Sequence, residues 1–163
     1  MQESINPRNI NTAKTRVIFF SLLIALGFLL DRILKYIVET KLPNEELFIV
    51  PKIFSVMLHQ NQGMAFGISV PMWLTITAGA IMLVILGLTS LYSLKIKRLD
   101  WYYSLELIFV GGLSNLFDRA SFGYTIDYLH LYPYSFFNIA DLMIITGCAL
   151  AIYYNFRNKD HGN

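Results

Sequence analysis

Four apolar runs, at about residues 17–37, 72–94, 101–117 and 139–156, each approach the roughly 20 residues a helix needs to cross a hydrocarbon core of about 30 Å. Lipid offers no partner to a backbone N–H or C=O, so runs of this kind become helices. The 163 residues are 55% apolar and 15% charged, and the mean hydropathy is +0.50, which excludes an ordinary soluble domain. The expected fold is an all-α membrane protein: one domain over residues 1–163, built as a four-transmembrane-helix bundle. No internal repeat or linker divides it. Lys14 and Arg16 before the first run have the order of a secretory signal. Asp31, Arg32 and Lys35 follow it without a small-residue cleavage site, so this span is expected to be retained.

Basic residues set the orientation. Arg8, Lys14 and Arg16 precede the first run, Lys95, Lys97 and Arg98 join the second and third, and Arg157 and Lys159 follow the fourth. Both termini are therefore expected in the cytoplasm, with Trp73 and Trp101 at opposite interfaces. Two segments then lie outside. Residues 38–71 contain a Pro51-Lys52 break followed by partly alternating, strand-like residues 53–60. Residues 118–138 are rich in aromatics, among them Tyr124, Tyr128, Tyr132, Tyr134 and Phe136, and are expected against lipid headgroups.

Asp31, Lys35, Asn61, Asn115, Asp118, Arg119, Asp127, Asn138 and Asp141 all fall at or beyond the outer third of the membrane in this orientation. Asp31 and Lys35 have the spacing of a helical i,i+4 ion pair. Asn138 suits the cap of the fourth helix, and Asp141 suits its positive end. Asp118 is placed at the C-terminal end of the third run, where the dipole disfavours a carboxylate. Ionisable groups at such depth are candidates for function. Two partly desolvated carboxyls on one membrane face would share a proton, one drawing a proton from water while the other donates to a scissile carbonyl. The chemistry expected is amide hydrolysis by Asp118 and Asp141. His59, His130 and His161 lack metal-ligand spacing and no serine has an evident base, so neither a metal nor a cofactor is expected. His130 reads as an interfacial side chain and Cys148 as a packing residue that can form no disulfide within the chain. Glu106 lies twelve residues from Asp118, about 18 Å along a helix, and is expected near the cytoplasmic side or paired within the bundle.

Five motifs occur in order: D-x-x-x-K at Asp31 and Lys35; N-x-G-x-A-F at Asn61, Gly63, Ala65 and Phe66; Ser114-Asn115-Leu116-Phe117-Asp118-Arg119 in the manner of G-N-x-x-D-R; the step Ile126-Asp127-Tyr128; and F-N-x-A-D ending at Asp141. Together they resemble the lipoprotein signal peptidases, or signal peptidase II. The resemblance implies a multi-pass aspartyl endopeptidase of the bacterial inner membrane, with four helices, a small extracytoplasmic β-rich cradle and an active site near the outer face. Its substrate would be a prolipoprotein with a diacylglyceryl-modified cysteine, cut on the N-terminal side of that cysteine. Asp118 and Asp141 would be the catalytic pair. Asn61, Asn115, Arg119, Asn138 and Asp31 would position them or bind substrate. Membrane lipids are the other expected partners, nucleic acid is not one, and a monomer is expected. Ser114 stands where the family usually has glycine, and Tyr128 where phenylalanine is common. Gly111 and Gly112 would admit the close approach of another helix. The rival readings are a proton-coupled transporter with a relay through Asp31, Glu106, Asp118 and Asp141, and an inactive relative that binds lipidated peptides.

Overall fold

A computed structural model of the chain describes residues 7–42, 45–63, 70–133 and 135–160. Ala65 and Phe66 of the second motif, Tyr134 and His161 lie outside the described residues. The order is α1 (Pro7–Lys41), β1 (Glu46–Val50), β2 (Phe54–Asn61), α2 (Met72–Lys95), α3 (Leu99–Phe122), β3 (Thr125–Leu131), β4 (Ser135–Phe137) and α4 (Ile139–Asp160).

Among the described residues three segments are long and apolar enough to cross a membrane: Lys14–Lys41 in α1, Met72–Lys95 in α2, and Ile139–Arg157 in α4. Their solvent-accessible faces are apolar, as at Leu22, Leu26 and Leu29 of α1 and Val84, Leu88 and Leu91 of α2. Asp31, Lys35, Ser90 and Ser104 are buried. A bundle folded in water has the opposite arrangement. α3 is the inner helix, packed against α1, α2 and α4, and it buries Ser104, Gly111, Ser114, Asn115 and Asp118. Glycine makes that contact possible. A Cβ built on Gly111 would lie 2.5 Å from the Ala140 carbonyl oxygen of α4, and one on Gly147 would lie 2.6 Å from that of Ser104.

α3 outruns its apolar run. It ends where Gly123 adopts φ 79 and returns its N–H to the Arg119 carbonyl at 3.1 Å. Asp118 is therefore inside the helix rather than at its end, because hydropathy falls before helical hydrogen bonding does. The aromatic segment that follows forms β3 and β4. Thr125, Ile126, Asp127 and Tyr128 are all buried, so the strand lacks the one-sided alternation that marks a half-exposed strand. His130 is buried rather than interfacial, its ring centroid 3.8 Å from that of Tyr132 and 4.0 Å from that of Phe136. Cys148 is exposed on α4 rather than packed.

The strands form one antiparallel sheet in the order β1-β2-β3-β4, and β2 takes in most of the strand-like residues 53–60. Val56 pairs with Leu129 but His59 pairs with Asp127, so β2 carries one extra residue between these pairs. Strand side chains alternate, and the bulge turns His59 and Asn61, in place of Leu58 and Gln60, onto the face of Asp127.

Candidate active site

The site is assembled around the start of α4. Asn138, just before the helix, accepts the Asp141 N–H on its Oδ1 at 2.9 Å, and Asp141 Oδ2 accepts the Asn138 N–H at 3.1 Å. This reciprocal cap fixes the Asp141 carboxyl at the helix end that favours negative charge. Asn115 Nδ2 donates to the other oxygen of Asp141 at 2.8 Å. The Asn138 side-chain amide then reaches β3, donating to Asp127 Oδ1 at 2.7 Å, while Asn61 Nδ2 donates to Asp127 Oδ2 at 2.9 Å. Asp127 and Asp141 thus hang on the same residue. Among the described residues neither forms an ion pair. Burial is the largest influence on Asp127 and raises its pKa above the ordinary carboxylate range. The Asn61 amide opposes that rise, the charge of Asp141 adds to it, and Asn138 and His59 oppose it.

Asp118 has different company. Lys35 Nζ lies 2.8 Å from Asp118 Oδ2 and 2.9 Å from Asp31 Oδ2, and Arg32 pairs with Asp118 Oδ1. The Ile126 N–H also donates to Asp118 Oδ2, at 3.2 Å. Asp31, Lys35 and Asp118 are wholly buried, and two cations balance two carboxylates. The Arg32 guanidinium lies 4.6 Å from the centroid of the Phe117 ring. Lys35 also donates to Asn115 Oδ1 at 3.0 Å, so this ionic cluster touches the asparagine that holds Asp141.

The structure therefore joins Asn61, Asn115, Asn138, Asp127 and Asp141 in one site. It joins Asp31 and Asp118 in a neighbouring ionic cluster. Asn115, expected to position the pair or to bind substrate, holds Asp141. Arg119 lines a groove of about 290 Å³ between α2, α3 and α4, polar at Asn115, Arg119 and Asp141 and apolar at Gly79, Leu83 and Ile144. Glu106 accepts the Ser90 hydroxyl at 2.9 Å, paired within the bundle. What the sequence reasoning passes over is that Asp127 shares Asn138 with Asp141. Two signals point to it: an aspartate is disfavoured inside a strand run such as Thr125-Ile126-Asp127-Tyr128, and Arg32 and Lys35, one turn of helix apart, require carboxylates of their own.

A lipid-facing helical bundle with two carboxyls hydrogen-bonded to one asparagine, one of them lining a groove between helices, has the form of a membrane aspartic peptidase. The family model for signal peptidase (SPase) II matches residues 23–157, and the chain belongs to that family. It is 35% identical over 142 residues to the lipoprotein signal peptidase of Solibacter usitatus, covering 78% of this chain and 84% of that protein. With the lipoprotein signal peptidase of Halothermothrix orenii it shares 32% identity over 148 residues, covering 87% of this chain and 98% of the other. A solved bacterial membrane enzyme superposes with a TM-score of 0.75 at 25% identity, over 89% of this chain and 92% of that one.

Proposed function

We propose that this enzyme removes the signal peptide from diacylglyceryl-modified prolipoproteins by cutting on the N-terminal side of the lipidated cysteine, with Asp127 and Asp141 as its catalytic pair. The observation that carries the assignment is Asn138, which donates to Asp127 through its side chain and to Asp141 through its backbone. With no ion pair to either among the described residues, the two carboxyls share one proton, and Asp127, raised by burial, holds it. The Asp141 carboxylate takes a proton from water, the resulting hydroxide attacks the scissile carbonyl, and Asp127 donates to the carbonyl oxygen. The tetrahedral diol returns a hydroxyl proton to Asp127 as the C–N bond breaks, and Asp141 gives the proton it took from water to the leaving amine, which restores both carboxyls. Asp118, already matched by Lys35 and Arg32, is a structural counter-ion rather than a reacting group.

α3 is the fourth span in this reading. The basic residues flanking α1, α2, α3 and α4 support a cytoplasmic side for both termini and an outer side for β3 and the start of α4, which carry the two carboxyls. The apolar groove receives the signal segment, and its polar end at Arg119 meets the peptide near the cleaved bond. The enzyme acts as a monomer in this reading. The transporter reading is not favoured: Asp31, Asp118, Lys35 and Arg32 satisfy one another, and Glu106 is bonded to Ser90.

The test is cleavage of a lipid-modified precursor by the purified enzyme and by Asp127→Asn, Asp141→Asn and Asp118→Asn. Inactive but folded Asp127→Asn and Asp141→Asn enzymes, with turnover kept in Asp118→Asn, are expected. Turnover by Asp127→Asn would refute the pair. The unmodified precursor should be turned over poorly, because each buried CH₂ of an acyl chain contributes about 0.8 kcal/mol to binding. Equal turnover of both precursors would remove the lipid from recognition.

A further inference from the structure

α4 begins with N–H groups that no helical carbonyl can satisfy. Asn138 takes that of Asp141, and the two before it are taken from other elements. The Ile139 N–H donates to the Tyr128 hydroxyl at 3.1 Å, and the Ala140 N–H donates to Asp31 Oδ1 at 3.2 Å. Tyr128 in turn donates to that same Asp31 oxygen at 3.0 Å. The second oxygen of Asp31 accepts the Ser114 hydroxyl at 2.6 Å and Lys35 at 2.9 Å. Asp31, Ser114 and Tyr128 are buried to within 1% of their surface. The two positions at which the sequence departs from the family pattern thus bring hydroxyls to one carboxylate, one on each oxygen.

We infer that Ser114 and Tyr128 act as a coupled pair of positioning residues for the catalytic carboxyls, working jointly through Asp31. Tyr128 follows Asp127 in β3, and the N–H groups it and Asp31 receive belong to the two residues before Asp141. Ser114 precedes Asn115, which bonds Asp141 directly. Turning the Asp31 carboxylate therefore shifts the start of α4 relative to β3, and with it the spacing of Asp127 from Asp141. With both hydroxyls in place each Asp31 oxygen has two donors and the carboxylate one orientation; without the Ser114 hydroxyl Lys35 alone holds one oxygen, and without the Tyr128 hydroxyl the Ala140 N–H alone holds the other. Loss of either hydroxyl loosens the carboxylate, and loss of the second loosens it little further. The inference rests on Asp127 and Asp141 being the catalytic pair.

The experiment measures kcat and KM for a lipid-modified precursor with the full-length enzyme and with Ser114→Ala, Tyr128→Phe and the double variant. Alanine is chosen over glycine to keep helix propensity in α3. Hydrogen bonds to a charged group support a loss of about tenfold in kcat for each single variant, with KM nearly unchanged. The double variant should lose about as much as either single one, instead of the product of the two. Rates are taken per folded enzyme from unfolding curves, so that lost stability alone does not register as lost kcat. Full kcat in both singles, a multiplicative double, or an effect on KM alone would overturn the inference. Asp127→Asn and Asp141→Asn run alongside: activity in either sinks the catalytic pair itself, whereas inactive Asn variants with fully active hydroxyl variants sink only the coupling.

Discussion

Replacing Asp118 with asparagine separates a structural charge from a reacting one. In the folded chain Asp118 receives Lys35 at 2.8 Å on one oxygen and Arg32 on the other, and its side chain is wholly buried. Asparagine keeps the shape and removes the charge. Breaking a buried pair by removing one partner costs about 3–5 kcal/mol, because the remaining charge is left buried and uncompensated. Here Lys35 keeps Asp31 at 2.9 Å, and the Arg32 side chain is 21% exposed, so the loss should fall at the lower end, about 3 kcal/mol. Turnover per folded enzyme should fall by far less than the roughly 10²–10⁴-fold expected when a general acid or base is lost. Denaturant unfolding in mixed micelles gives the stability, and precursor cleavage on the same samples gives the rate. An Asp118→Asn enzyme with unaltered stability and no turnover would refute this reasoning and make Asp118 a reacting group.

Asp127→Asn should have the converse profile, losing about 10²–10⁴-fold or more in kcat while unfolding at nearly the wild-type denaturant concentration; a large loss of stability with residual turnover would count against its role. Asn61→Ala removes a donor that lowers the pKa of Asp127, leaving burial and the Asp141 charge less opposed, so that pKa rises further. Because Asp127 must hold the proton, the alkaline limb of the kcat/KM profile should move to higher pH, and a downward shift would contradict the assignment. Gly111→Ala drives a Cβ to 2.5 Å from the Ala140 carbonyl and should cost about 1–3 kcal/mol together with activity, since Asp141 is the next residue. Gly112→Ala meets only a Leu83 methyl at 3.0 Å and should be tolerated; equal unfolding midpoints for the two variants would refute the contrast.

Much of the scaffold is written locally. The runs that become α1, α2 and α4, the i,i+4 pair of Asp31 and Lys35, and the capping of α4 by Asn138 each depend on residues within a turn or two, so spacing discloses them. β3 is less legible, since burial on both faces removes the alternation that marks a strand. The end of α3 is misjudged for a related reason: polar Asp118 and Arg119 end the apolar run, yet the helix continues to Gly123. The strand run around Asp127 marks it as unusual, but whether Asp118 or Asp127 meets Lys35 and Arg32 depends on how α1 packs, which no local spacing discloses.

By itself the sequence determined a lipid-embedded helical chain of the signal peptidase II family and the small set of polar residues from which its site is drawn. Only the tertiary structure decided the pairing of charges. Lys35 and Arg32 on α1 reach Asp118 on α3 more than 80 positions away, and a single extra residue in β2 swings Asn61 to the side of Asp127. Charge pairing depends on distance through space and strand facing on register, and both are fixed when the helices and the sheet pack together.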